Sequence, residues 1–550
     1  MKKFLLFFLL VGFILPTNAL AQTPSWVWAK INSGNGNSGG YSTATDNLGN
    51  VYVAGFYGAS PLVIGTYSLA IFGGSDFFIA KLNSVGNVLW VNGVGGSSAD
   101  YARDITVDLQ GNVYIVGESN SPIIHFGSTS YNNPNSGFTN VIIAKYTSSG
   151  NFVWAHNSGG IMNNDNIGRS IAVDNHSNIY ITGEFSSSNI VLGSTLNNYS
   201  SSGTKDVFTA KYDSSGNIKW AKSAGGSTDD SGYGITTDAQ FNLCVTGFFT
   251  SNIISFSTYT LTNVNNGDDV FITKYDSLGN VVWAKSAGGQ GLDDPEGIIT
   301  DAASNVYITG SFDGVSMNFD SYIIYNASTG GFNDIFTAKY SSTGNFIWAK
   351  QAGGPKFDYS YGIANDNLAN VYITGQFYKG TIIFGYDTLI SNINGGIYVT
   401  KYDSSGNIKW GVSAGTIANT GAAAIAFDGN SSVYVTGRFI GNSCNFGSDT
   451  VNSSGNGSFY ITKLDNIFAN DIRVFSSKNS SFSIYPNPSN NNITIQSVTE
   501  LGTIAIYNSL GEIVLQTKSK SEHEQIDISK LPMGIYVVQA HSKYMKLVKE

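Results

Sequence analysis

Three sets of aspartates recur along the chain, and their positions point to three uses of a carboxylate. One set follows a Gly-Gly pair: Asp100, Asp165, Asp229, Asp230, Asp293, Asp294 and Asp358. A second, Asp76, Asp206, Asp268, Asp269 and Asp334, precedes runs of the FIAKY type. The third, including Asp108, Asp174, Asp213 and Asp276, sits in short turns, where an aspartate bonds the turn's own amides. Oxygen-rich clusters suit Ca²⁺, and paired carboxylates can do acid–base work on sugars. The spacing lacks the DxDxDG loop of calcium sites, and residues repeated this regularly are also explained as loop caps. Tyr101, Tyr233, Phe357 and Tyr359 accompany the first set and could stack on sugar rings or pack between sheets. The candidate ligand-binding residues are therefore Asp100, Asp229, Asp230, Asp293, Asp294, Asp358, Tyr101, Tyr233 and Tyr359.

Other chemistry lacks its context. Residues 34–39 fit GxGxxG and 36–40 fit GxSxG, but neither follows a strand and opens a helix, as a phosphate cradle or nucleophile elbow requires. His125, His156, His176, His523 and His541 show no metal-ligand spacing. Cys244 and Cys444 lie three repeats apart, which argues against a bridge between them. No catalytic residue, metal ligand or cofactor is assigned, and the chain reads as a binding protein rather than an enzyme. The net charge of −9 argues against nucleic acid as a partner.

The elements that must position these residues form a repeat. The strand NVYVAGF recurs as NVYIVGE, NIYITGE, NLCVTGF, NVYITGS, NVYITGQ and SVYVTGR, which makes seven units. Trp28, Trp90, Trp154, Trp220, Trp283, Trp348 and Trp410 mark them at spacings of 62 to 66 residues. Alternation of apolar and polar residues divides each unit into four short antiparallel strands, here a, b, c and d. From the lysine of strand c to the tryptophan of strand d the distance is constant, because a one-residue slip would turn every side chain to the other face. The d–a and b–c connections vary in length and share one end of the sheet. That end is the expected ligand face.

The ends of the array complement each other. The seventh unit stops after strand c, at SFYITKLD, while Trp26 to Lys30 is a strand d with no strand c before it. The expected fold is all-β: a seven-bladed β-propeller over residues 24–465, closed by the N-terminal strand. Ahead of it, Lys2, Lys3, the apolar run Phe4 to Pro16 and Ala19-Leu20-Ala21 read as a signal peptide over residues 1–21, cut after Ala21. The run is shorter than the ~20 residues of a spanning helix, and no later stretch qualifies. Residues 466–480 read as a linker, and 481–550 as a small C-terminal β-sandwich.

The NVYITG strands, KYDSSGN turns and WAKxxGG ends resemble the SBBP family of β-propeller repeats, found in exported bacterial proteins. The tail resembles the C-terminal sorting domain of type IX secretion in the Bacteroidetes. Its carrying pieces are Tyr485-Pro486-Asn487-Pro488, the Leu510-Gly511 turn, LPMGIY with Gly534 and Tyr536, and the basic segment Lys543 to Lys549. The chain ends on Glu550, a departure from a basic terminus. The resemblance implies recognition by the type IX machinery and a secreted or outer-surface location. A scaffold binding extracellular glycan or protein is the expected role, with a polysaccharide-active enzyme or a passive surface-layer component as alternatives.

Overall fold

The computed structural model describes residues 24–33, 37–133, 137–159, 164–200, 203–264, 267–328, 331–391, 395–415, 419–453, 456–468, 482–497, 499–508, 513–540 and 543–549. The signal segment with its Ala21 site, most of the linker, and Leu510, Gly511 and Glu550 lie outside these residues. So do Gly34 to Gly36; Ser38 to Gly40 open a strand rather than a helix. Residues 22–469 form one unit, and residues 470–550 belong to a second.

The first unit holds seven four-stranded antiparallel cores among the described residues, each built a-b-c-d in hydrogen-bonding order. Blade one uses Ser38–Thr45, Val51–Tyr57, Asp76–Leu82 and Val88–Gly96. Blade seven uses Asn419–Phe427, Val433–Ile440, Ser458–Asp465 and, as its strand d, Ser25–Ile31. The register runs from Ser25 opposite Asp465 to Ile31 opposite Tyr460, and the Trp28 carbonyl accepts from Thr462 Oγ1 at 2.8 Å. Blade seven also meets blade one: Thr45 Oγ1 donates to the Phe427 carbonyl at 2.6 Å, and Trp28, Val51, Val53, Tyr434 and Ile461 share one apolar cluster. The sheets form a closed ring.

Each tryptophan fastens one blade to the next. Trp28 Nε1 donates to the Ser84 carbonyl at 3.2 Å, Trp90 to Ser148 at 3.2 Å, Trp283 to Ser342 at 3.2 Å, and Trp410 to Ile467 at 3.4 Å. The accepting c–d turn needs its glycine twice over. Gly150 takes φ +84°, and a Cβ there would lie 2.7 Å from the Trp90 ring.

The four strands expected per unit form each core, and a two-stranded outer hairpin is added to them. Each b–c connection folds into a two-stranded hairpin, such as Ile123–Phe126 with Thr129–Asn132. The hairpin bonds to the end of strand d in the preceding blade: Ile124 to Phe126 pair with Val94 to Gly96, and Met317 to Phe319 with Ala287 to Gly289. Single bridges do the same at Ser33–Val63, Gly159–Val191, Gly225–Ser255 and Gly353–Ile383. An otherwise open edge is thereby covered, which blunts edge-to-edge association.

In the second unit, a three-stranded sheet (Phe482–Tyr485, Asn492–Ser497, His523–Asp527) and a four-stranded sheet (Gly502–Tyr507, Ile513–Ser519, Gly534–Ala540, Lys543–Lys549) share a core that includes Ile493, Ile495, Ile504, Ile506 and Val538. Tyr536 is buried there, its hydroxyl donating to the Pro532 carbonyl at 2.7 Å. Asn487 Oδ1 accepts from the Val548 amide at 2.8 Å, tying the Pro486–Pro488 segment to the last strand. No described helix is long and apolar enough to cross a membrane.

Candidate functional site

Strand a is innermost, and in every blade its register skips one residue. Tyr41, Arg103, Arg169, Tyr233, Glu296, Tyr361 and Ala423 have no partner on strand b. A bulge frees its extra residue from the ladder and re-aims it. All seven line a cavity of about 580 Å³. Sequence reasoning found only Tyr233 of this ring, although a signal existed. The same place in seven similar strands holds four residue types, while its surroundings are mostly small residues followed, in six of the seven, by isoleucine.

The ring is chemically uneven. Arg103 is gripped by Glu118, with Nε at 2.8 Å and 3.0 Å from its two carboxylate oxygens, and lies 5.2 Å from the rings of both Tyr41 and Tyr101. Arg169 donates to Glu184 at 2.9 Å and lies 4.8 Å from the Tyr233 ring; Lys205 shares Glu184 at 3.1 Å. Asp104 straps three blades together, accepting from Ser42 Oγ at 2.6 Å and Ser170 Oγ at 2.7 Å. On the far side the lining is small and apolar: Gly234, Gly297 and Gly362 beside Ile235, Ile298 and Ile363. There Phe357, Tyr359 and Tyr361 form a stacked run, with centroids 6.1 Å and 5.9 Å apart and ring planes within 5° and 14°. Phe357 is 37% exposed.

The aspartates expected at a ligand face divide. Asp100, Asp230, Asp293 and Asp358 are corrected: they are buried between blades, and none is exposed more than 2%. Each begins a strand a, and its amide donates to the residue just before strand c of the preceding blade, as Asp100 does to Ser75 at 2.7 Å. Asp76, Asp206, Asp269 and Asp334 begin those c strands and are equally buried. Four interfaces thus hold the couples Asp76/Asp100, Asp206/Asp230, Asp269/Asp293 and Asp334/Asp358; the interface between blades two and three has Asn140/Asn166 instead. Asp100 accepts from the Gly96 amide and Ser121 Oγ, both at 2.7 Å, and so caps the d–a turn. Oδ1 of Asp76, Asp206, Asp269 and Asp334 accepts no bond from the described protein. It lies where a Cβ on Gly95, Gly225, Gly288 or Gly353 would stand, 2.0 to 2.1 Å away. That contact explains one glycine of the Gly-Gly pair. Burial, reinforced by the partner carboxylate, pushes Asp358 up to about 8 and Asp230 to about 7; burial lifts Asp206 and Asp269 to about 7 and Asp76 and Asp334 to about 6.

The remaining candidates stay on the open side. Asp229 is exposed on the rim, accepting from the Lys205 amide at 3.0 Å. Asp294, Tyr233 and Tyr359 come together beside Glu296 and Tyr361: burial raises both tyrosines, and the Asp294 charge adds to it. Tyr101 belongs to another sector, with Tyr41 and Phe56. Among the described residues no three His, Cys, Asp or Glu side chains are placed to hold a metal ion. Both cysteines are buried and unpaired.

Comparison with known proteins agrees with this architecture. Residues 90–124 match the model of the SBBP beta-propeller repeat, and residues 483–550 match the secretion system C-terminal sorting domain. The protein is a β-propeller exported to the outer surface or the medium. This exported propeller is 25% identical over 465 residues to an uncharacterized WD repeat-containing protein of Acanthamoeba polyphaga mimivirus, covering 70% of the chain and 32% of the relative. It is 25% identical over 191 residues to the regulatory protein FlaEY of Caulobacter vibrioides, covering 31% and 19%. The exported propeller thus spans under a third of the length of these relatives. Among solved structures, it is similar to PorZ, a surface component of the type IX secretion system of Porphyromonas gingivalis, at 11% identity, TM-score 0.24 and coverage of 93% and 81%. A quinohemoprotein alcohol dehydrogenase of Pseudomonas putida matches at 10% identity, TM-score 0.36 and coverage of 85% and 79%.

Proposed function

We propose that this protein is a closed seven-bladed propeller, carried out of the cell by a C-terminal β-sandwich, that binds an extracellular glycan at the mouth of its channel without turning it over. The observation that carries this reading is the stacked run Phe357, Tyr359 and Tyr361, which leads from the exposed rim into the cavity. Flat aromatic faces beside a few convergent polar groups suit a ligand with apolar ring faces and polar edges, which describes a sugar. The site is concave, made of regular strands, and held open by bulges, so little ordering is needed on binding. The sorting residues Tyr485, Pro486, Pro488, Gly511, Gly534 and Tyr536 would serve the export machinery separately.

A glycan array probed with the full-length protein tests the reading, followed by titration of the best ligand against Phe357→Ala/Tyr359→Ala. Loss of two stacking faces is expected to weaken binding by about 10-fold or more. Full affinity in that variant, or no glycan bound by the parent protein, would count against it. Release of sugar fragments during the titration would favour the enzymatic alternative.

A further inference from the structure

The glycan reading leaves the class of sugar open, and the charge distribution around the ring narrows it. Strand a of each blade brings its bulge residue to the cavity, and a second residue stands two positions before it on the same strand. The seven columns are Gly39/Tyr41, Tyr101/Arg103, Ile167/Arg169, Ser231/Tyr233, Asp294/Glu296, Tyr359/Tyr361 and Gly421/Ala423. Only one of them is doubly acidic. Both guanidinium groups in the set already have carboxylate partners, Glu118 and Glu184, so their charge is answered locally. Asp294 and Glu296 differ: neither side chain forms a hydrogen bond or an ion pair among the described residues, although both are partly buried, and Arg169 acts on Glu296 only from beyond ion-pair distance. Tyrosines stand on both sides, since Glu296 influences Tyr233 from one neighbouring blade and Tyr361 from the other.

A partly buried carboxylate without a partner is unfavourable, and a cation entering the cavity would relieve it. Tyrosine faces attract the same kind of group, because the negative face of the ring favours positive charge. A Cβ on Gly234 or Gly297 would lie 2.9 or 2.6 Å from the next blade's Ile298 or Ile363, so these glycines let the blades close up, and the isoleucines offer an apolar surface to the body of the ligand. Resting on the glycan reading above, we propose that the ligand is an amino sugar with a free ammonium group, docked between Asp294 and Glu296 and flanked by Tyr233 and Tyr361. Titration agrees with an unanswered pair. Withdrawal from water and the Asp294 charge, partly offset by Arg169, move Glu296 up to about 8, and withdrawal from water with nearby Asp268 and Asp313 moves Asp294 to about 6. An arriving cation would draw both back to the charged form.

The test uses full-length protein and three probes: a glucosamine tetramer, its fully N-acetylated counterpart, and a glucose tetramer. Calorimetry is expected to show the free-amine oligomer binding about 10-fold more tightly than the N-acetylated one. The preference should shrink as sodium chloride is raised, because salt screens the charge. In Asp294→Asn/Glu296→Gln, which keeps side-chain shape, it should fall to about 2-fold while the weaker sugars bind as before. Circular dichroism and melting establish that the variant is folded; should it not fold, the salt series on the parent protein decides. Equal binding of amine and N-acetyl oligomers would overturn the amino-sugar assignment and leave the glycan reading standing. No sugar bound, with an oligolysine peptide bound instead, would overturn both.

Discussion

Two regions of this ring hold acids withdrawn from water, and they are built on opposite plans. At the blade interfaces the carboxylates repeat. The same couple appears four times, at the same register, over the same glycine. At the channel mouth only one of the seven columns, Asp294/Glu296, is doubly acidic, and the columns differ in chemistry. Repetition is what a structural task demands, because every interface has the same gap to fill. A ligand that is not itself seven-fold symmetric demands the reverse. In a repeat protein, then, the residues that break the pattern are the better guide to binding.

The comparison can be broken or sharpened by experiment. The largest effect is expected from removing residues 24–33, which takes strand d from blade seven and exposes the edge of Ser458–Asp465. Calorimetry should show melting lowered by about 10 °C or more, with loss of solubility; unchanged melting would mean the ring does not depend on its N-terminal strand. Next comes the glycine beneath a carboxylate. Gly353→Ala places a methyl 2.1 Å from Asp334 Oδ1 and should cost about 2 kcal/mol in denaturant titration. Gly159→Ala, at the equivalent place in blade two, has its nearest neighbour at 3.5 Å and should cost under about 0.5 kcal/mol. Equal costs would remove the special standing of the Asp interfaces.

A third effect concerns pH. Burial gives Asp76, Asp206, Asp230, Asp269, Asp334 and Asp358 folded values of about 6 to 8 against an ordinary 3.8 and raises Asp100 and Asp293 as well, so the folded state holds protons that the unfolded chain releases. Their contribution therefore favours folding fully below about pH 4, weakens as pH rises through the folded values, and changes no further above about 8. Melting should be about 5 °C higher at pH 5 than at pH 8. Asp334→Asn/Asp358→Asn, which imitates the natural Asn140/Asn166 interface, should shrink the difference while the other three couples keep the rest of it. The smallest effect belongs to the mouth. Glu296→Gln should leave melting at pH 5 unchanged and raise it by about 1 °C at pH 8, where the native glutamate is forced to ionise in place.

Much of this molecule was legible before any coordinates. The constant lysine-to-tryptophan distance announced a hairpin of fixed register, and Lys81 does pair with Trp90. The missing and spare strands announced the closure that Trp28 and Lys463 make. The outer hairpins were missed although their signal was present. Ile123 to Gly127 and Ile382 to Gly385 each place an apolar pair ahead of a glycine that turns the chain with φ +65° and +61°. A four-residue strand is too short for alternation to stand out from loop sequence.

What the chain determined by itself was local and periodic: strand, turn, repeat length and the complementarity of its ends. These follow from side-chain alternation and backbone preference, which neighbouring residues already contain. Tertiary structure alone decided which acids face inward. Asp293 and Asp294 are adjacent in sequence, yet one is sealed between blades and the other opens on the channel, because successive residues of a strand point to opposite faces. The bulge decided the rest, lifting one residue per blade out of the ladder and setting seven side chains of four types around a common cavity.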